Sequence, residues 1–155
     1  MVLATDMFDP DMKAIRNSRW EKAFQKDSLE SPLSDEDDMN LKATIVIECV
    51  MQASDVSHTM QHWHVYQRWN ERLFEEMYSA YQVNRGDKDP SIGWYKAELW
   101  FFDNYIIPLA RKLKECQVFG VASDECLKYA MDNRREWATK GEELVKSFVA
   151  KHAKT

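Results

Sequence analysis

The segment from residue 61 to 84 constrains this chain most. Tyr66, Trp69, Leu73, Met77 and Tyr81 recur there at steps of three and four, the spacing of one face of an α-helix. Such a stripe implies core packing, so this helix is expected at the centre of an all-α fold. The surrounding sequence agrees, with only four glycines and four prolines in 155 residues. So few turn-formers leave little room for hairpins. Hydrophobic residues make up 45% and charged residues 30% of the chain, a globular balance that suits a single domain.

Four further helices follow from local signals. Asp9-Pro10 reads as an N-cap with proline at the first helical position, leading to Ile15, Trp20 and Phe24. SLESPLSDEDDMN, residues 28–40, reads as an acidic surface loop. Residues 39–54 form a second helix. The run Ile45-Val46-Ile47 has strand propensity, but no partner strand exists, and the length of the segment favours a buried helix. A fourth helix spans about Trp94 to Lys114 and contains Pro108, which should kink it or mark a junction. A last helix runs from a cap at Ser123 or Asp124 to about Phe148. The fold class is therefore all-α, a compact array of about five helices.

Bulk properties exclude some functions. A net charge of −5 with no basic stripe argues against nucleic-acid binding. The longest apolar run, ATIVIECVM, is interrupted by Glu48 and is too short to cross a bilayer. The N-terminal MVLATDMFDP lacks the basic and apolar regions of a signal peptide. Cys49, Cys116 and Cys126 are odd in number and widely separated, as free thiols of a reducing compartment would be. A cytoplasmic location is expected, although a parent protein could be membrane-tethered.

ASDVSHTMQHWHVYQRW, residues 53–69, holds Asp55, His58, His62 and His64. His58 and His62 are four residues apart and Asp55 precedes His58 by three, so a self-contained zinc site is one reading. Against it, Asp55-Val56-Ser57-His58 reads as a helix end, no HExxH glutamate is present, and no cysteine is near. Packing or surface roles account better for His62 and His64. Asp55 is different, because a carboxylate closing an apolar helix must be solvated, cap a helix or coordinate something.

ASDVS, YQRWNERLFEEMY and KAELWFFDNYIIPL occur in that order, with Asp55 eleven residues before Tyr66. Together with VLATDM at residues 2–7, they resemble the catalytic domain of class I 3′,5′-cyclic nucleotide phosphodiesterases. The resemblance runs from about Val2 to Lys114. It implies hydrolysis of cyclic AMP or cyclic GMP by water activated between zinc and magnesium or manganese. A histidine would protonate the departing ribose oxygen. By the same resemblance Asp55 matches a metal ligand, and Asp6 a residue beside metal-bound water. Phe101 matches the ring that stacks on the purine, and Leu73 the aliphatic on its other face. Glu98 matches the residue that reads the base edge. Trp69 helps to build the purine pocket, and His58 falls near the base.

Four departures qualify these expectations. The family's HNxxH and HDxxHPG motifs, which supply the acid and three metal ligands, do not occur in this chain. Asp55 is then the one ligand present, and the chain is expected to be the C-terminal half of the domain and inactive alone. Residues 1–115 would form that half and residues 116–155 a helical extension of it. Glu98 stands where glutamine is usual. A carboxylate only accepts hydrogen bonds, which suits the N1–H and amino group of guanine and opposes N1 of adenine. Trp100 replaces a small residue and is expected to crowd the pocket. The Met77–Lys96 connection is short, which puts any lid over the substrate in doubt. The expected partners are the nucleotide and either a second copy or tethered regulatory domains. The alternative is a non-catalytic helical module or degenerate remnant, docking through exposed aromatics on the third and fourth helices.

Overall fold

The computed structural model describes residues 9–25, 34–86 and 88–152. Among these residues every regular element is helical. Helix α1 spans Pro10–Trp20 and runs into a π-turn at Glu21–Gln25. Helix α2 spans Asp35–Asp55, and a 3₁₀ turn at Ser57–Met60 leads to α3, Trp63–Gln82. Helices α4, Trp94–Phe101, and α5, Ile107–Glu115, are halves of one rod joined by a π-turn at Phe102–Ile106. Helix α6 spans Val121–His152. With α4 and α5 counted together, the described residues form five rods, as the sequence implies.

Local chemistry sets the first two helix starts. The Asp9 carboxylate accepts from the backbone N–H groups of Asp11 and Met12 at 2.9 and 3.2 Å, ahead of Pro10. Ser34 caps α2 through the Asp37 N–H at 3.1 Å, and four acidic residues follow in the first turn. Residues 35–40 therefore belong to a helix rather than to the acidic loop, and residues 26–33 lie outside the described chain. Helix α6 begins two residues before the expected cap. The Ser123 hydroxyl donates back to the Gly120 carbonyl at 2.7 Å, and Asp124 pairs with Lys114 at 2.7 Å.

Pro108 marks the expected junction, and the π-turn explains how the rod survives it. Proline cannot donate to the carbonyl four residues back, and its ring crowds that carbonyl. The turn widens just before Pro108, so that the Ile107 N–H donates to Phe102, five residues back. The bend leaves Leu109, Ala110 and Leu113 buried on one side. They pack against α6 and α2.

Helix α6 is the element on which the rest is assembled, lying against α3, α4, α5 and the 3₁₀ turn. Ala130, Asn133, Trp137, Gly141, Val145 and Phe148 are buried along one face, at steps of three and four. Trp137 is fully buried, meets Tyr66 edge-on at 5.9 Å, and donates its indole N–H to the Tyr95 carbonyl at 3.1 Å. Gly141 lets this indole lie flat, because a Cβ there would sit 2.8 Å from both the Trp137 and Tyr95 rings.

The expected core stripe of α3 is corrected. Tyr66, Asn70 and Phe74 are the buried line, whereas Trp69, Leu73 and Met77 are 48%, 45% and 47% exposed, and Tyr81 is exposed as well. The two lines are adjacent on the helix, about 100° apart. Asn70 makes the buried one look polar in sequence, yet its Oδ1 accepts from Trp94 Nε1 at 3.1 Å. Phe74 meets the same Trp94 edge-on at 5.2 Å, so the more polar line is the one with partners.

Gly141→Ala tests this packing. Alanine gains about 1 kcal/mol of helix propensity over glycine. The added methyl overpacks two rings at a cost of about 1–3 kcal/mol, and this term should win. A lower urea midpoint is expected, and a higher one would show that the indole has room to shift.

Candidate functional site

The residues singled out from sequence fall into two groups. On the α3/α4 seam, Tyr66 and Glu98 meet: the Tyr66 hydroxyl donates to Glu98 Oε2 at 2.7 Å. The helices run antiparallel here, with Trp94 against Asn70 and Phe74, and Phe102 against Tyr66. Glu98 lies between Trp94 and Phe102 at helical steps of four, which directs it to the same seam. Phe101 lies one turn beyond Glu98, and Tyr105 stacks on it with centroids 5.4 Å apart and planes 8° from parallel. Trp69 and Leu73 form the exposed flank of α3. The Trp69 ring lies 6.2 Å from His58, and the Arg72 guanidinium sits 5.4 Å from its centroid.

Glu98 is not the solvated helix residue that its charge suggests. Burial raises its pKa from 4.5 to about 7, and the Tyr66 hydrogen bond only partly offsets this. Burial, followed by the nearby Glu98 charge, holds the Tyr66 phenol well above its ordinary value. Tyr66 therefore stays a donor and fixes the orientation of the carboxyl group. This contact with Glu98 was missed in sequence, where Tyr66 read as one more core aromatic. Its membership in the motif with Asp55 was the available signal.

Asp55 ends α2 and is exposed. Its charge reaches Tyr105, whose hydroxyl is pushed up to about 12, chiefly by burial. The turn that follows is pinned to α6 by Asn133, whose amide donates to the Thr59 and Gln61 carbonyls at 2.9 and 2.7 Å. This holds His58 beside Trp69, and burial lowers the His58 pKa. His62 faces elsewhere, with its Nε2 3.1 Å from the Tyr129 hydroxyl and its ring stacked on His64 at 5.7 Å. Among the described residues, no three His, Cys, Asp or Glu side chains gather to hold a metal. Asp55, His58 and His62 thus do not assemble the self-contained zinc site. Asp6 lies outside the described residues.

Asp103, in the same motif as Glu98 and Phe101, makes a two-pronged pair with Arg134 at 2.9 and 2.8 Å. Those hydrogen bonds lower its pKa and tie the π-turn to α6. Trp100, expected to crowd the base pocket, is 54% exposed.

A family model described as 3′5′-cyclic nucleotide phosphodiesterase matches residues 1–118. The chain belongs to this family. No curated protein and no solved structure matches the chain. The family is in general metal-dependent, and among the described residues no set of three potential ligands gathers around Asp55. The motifs that carried the resemblance all lie inside the matched region. No helix among the described residues is long and apolar enough to cross a membrane.

The ionisation of Glu98 should be visible in stability. Its folded-state pKa lies above the unfolded value, so the native state holds the proton more tightly, and stability falls as pH rises from about 4.5 to about 7. A shift of this size corresponds to at most about 3 kcal/mol. Glu98→Gln should flatten that part of the pH–stability curve and stabilise the protein at pH 8. Parallel curves for the two proteins would show that Glu98 does not carry the effect.

Proposed function

We propose that this chain supplies the base-recognition wall of a domain that hydrolyses 3′,5′-cyclic nucleotides to 5′-monophosphates. The observation that carries the reading is the partly buried Tyr66–Glu98 hydrogen bond, whose acceptor lies on the helix that bears Phe101. It holds a polar edge-reader one helical turn from an aromatic slab, the combination that purine binding requires. In this reading Phe101 stacks on the base, Leu73 covers its other side, and Trp69 and His58 close the pocket wall. Asp55 would supply one carboxylate to a metal, and Asp6, by its place in the VLATDM motif, is assigned a role beside that metal. Residues 116–155 extend the same domain, a view supported by the packing of α6 on α3, α4 and α5. Zinc with magnesium or manganese would be held by ligands from outside the described residues together with Asp55.

Base preference then follows the charge on Glu98. Above pH 7 the carboxylate offers only acceptors, which match the donors of guanine. Below pH 7 the acid form has an O–H that can donate to N1 of adenine, as an amide does. The ratio of cyclic GMP to cyclic AMP affinity should therefore rise as pH passes through about 7. Glu98→Gln should remove this slope. In a polypeptide that also carries the HNxxH and HDxxH motifs, it should raise the cyclic AMP to cyclic GMP ratio of kcat/KM. An unchanged slope in the variant would refute the assignment.

A second reading, a non-catalytic module that docks on a partner, is favoured by the exposed Trp69–Leu73–Met77 flank. The two differ in nucleotide binding, which the module reading does not require. Under both, the purified 155-residue chain should hydrolyse neither cyclic AMP nor cyclic GMP. Chelator-sensitive hydrolysis by that chain would overturn the assignment of Asp55 as a partial ligand set.

A further inference from the structure

Polar side chains of α6 reach the elements on either side of the proposed nucleotide site. The Tyr129 hydroxyl lies 3.1 Å from His62 Nε2, and Arg134 pairs with Asp103 at 2.8 Å. Between them along α6, Asn133 donates to the Thr59 and Gln61 carbonyls at 2.9 and 2.7 Å. These contacts differ in exposure. The first two are exposed, so water competes with them and salt screens the ion pair. Asn133 and Thr59 are each only 1% exposed, so water does not replace the bond between them.

The Ser57–Met60 turn depends on an outside partner for its orientation. The Thr59 N–H and hydroxyl both donate to the Val56 carbonyl, which shapes the turn without tying it to another element. Val56 and Met60 are buried, but apolar burial is non-directional. Carbonyls at a helix end lack intrahelical donors, and Thr59 and Gln61 stand at the break between the 3₁₀ turn and α3. The two N–H groups of the Asn133 amide serve these two carbonyls. Helix α2 packs on α5 and α3 packs on α6, so the turn links two separately held helices.

We infer that Asn133 is a positioning residue of the proposed nucleotide site, whose amide holds the Ser57–Met60 turn so that His58 faces Trp69. The His58 and Trp69 rings have centroids 6.2 Å apart. Asp55 enters the same turn, and its charge reaches Tyr105, which stacks on Phe101. A shift of the turn therefore changes the spacing between the Asp55–His58 side and the Phe101 side. The role in binding rests on the base-recognition reading, whereas the placement of His58 does not. Asn133 lies outside residues 1–118, which the family model matches. It gives residues 116–155 a part in the site beyond extending the domain.

The test is NMR on the isotope-labelled 155-residue chain at pH 8. In the wild type, the Asn133 side-chain amide protons should exchange with water at least about tenfold more slowly than those of the exposed Asn84. Cross-relaxation between the His58 ring and the Trp69 indole should be present in the wild type and lost in Asn133→Ala and Asn133→Asp. The aspartate keeps the shape but has no donor, so its loss of the contact separates amide donation from packing. Val145→Ala, on the same buried face of α6, should lower stability and leave the contact intact. Cyclic GMP should give saturable shifts at the Trp69 indole N–H, with Asn133→Ala weakening its affinity about tenfold and Val145→Ala leaving it unchanged. A wild-type chain with the His58–Trp69 contact and no nucleotide shifts would count against the base-recognition reading alone. The exchange measurement needs no variant, so it decides the proposal if a substitution prevents folding. Fast exchange of the Asn133 amide, survival of the contact in either folded Asn133 variant, or its loss in Val145→Ala would overturn the proposal.

Discussion

The Trp137 indole is the contact on which the arrangement depends. It is fully buried on α6, touches Tyr66 of α3 edge-on, and donates to the Tyr95 carbonyl of α4. Gly141 leaves the space in which the ring lies. One side chain thereby sets the distance between α3 and α4, and that seam holds Tyr66 against Glu98. The aromatic contacts of Tyr66 with Trp137 and Phe102 leave its hydroxyl a single direction, toward the carboxylate. The polar contact proposed to read a base is thus placed by apolar packing around it.

Electrostatics then differ across short distances in the same small domain. Glu98 is desolvated and titrates near neutrality, whereas Asp103, five residues on, is exposed, pairs with Arg134, and is held below its ordinary value. The helical turn between them carries Phe101. The π-turn made necessary by Pro108 begins at this point, so backbone irregularity and candidate chemistry coincide. Similar bulges recur at functional sites in other helices.

The number and type of helices were legible because their signals are local. Asp9-Pro10, the polar caps and the scarcity of glycine and proline act within a few residues. The junction at Pro108 was legible for the same reason, since a missing N–H has a definite consequence four residues back. The buried face of α3 was not. Two adjacent lines of side chains competed for it, and hydropathy favours Trp69–Leu73–Met77 over Tyr66–Asn70–Phe74. Asn70 is buried because Trp94, twenty-four residues away, supplies its hydrogen bond. The central role of α6 was likewise hidden. Its buried face includes Asn133 and Gly141, which no hydropathy measure would select.

The sequence by itself determined the all-α class, the family through its spaced motifs, and the identities of Asp55, Glu98 and Phe101 as candidates. These depend on residue types and spacings, which the linear chain carries in full. Only the tertiary structure decided the state of Glu98, the exposure of the Trp69 flank, the separation of His62 and His64 from Asp55, and the hold of Asn133 on the turn after Asp55. Each of these depends on what lies opposite a side chain, and burial, pairing and pKa come from that neighbour more than from the residue itself.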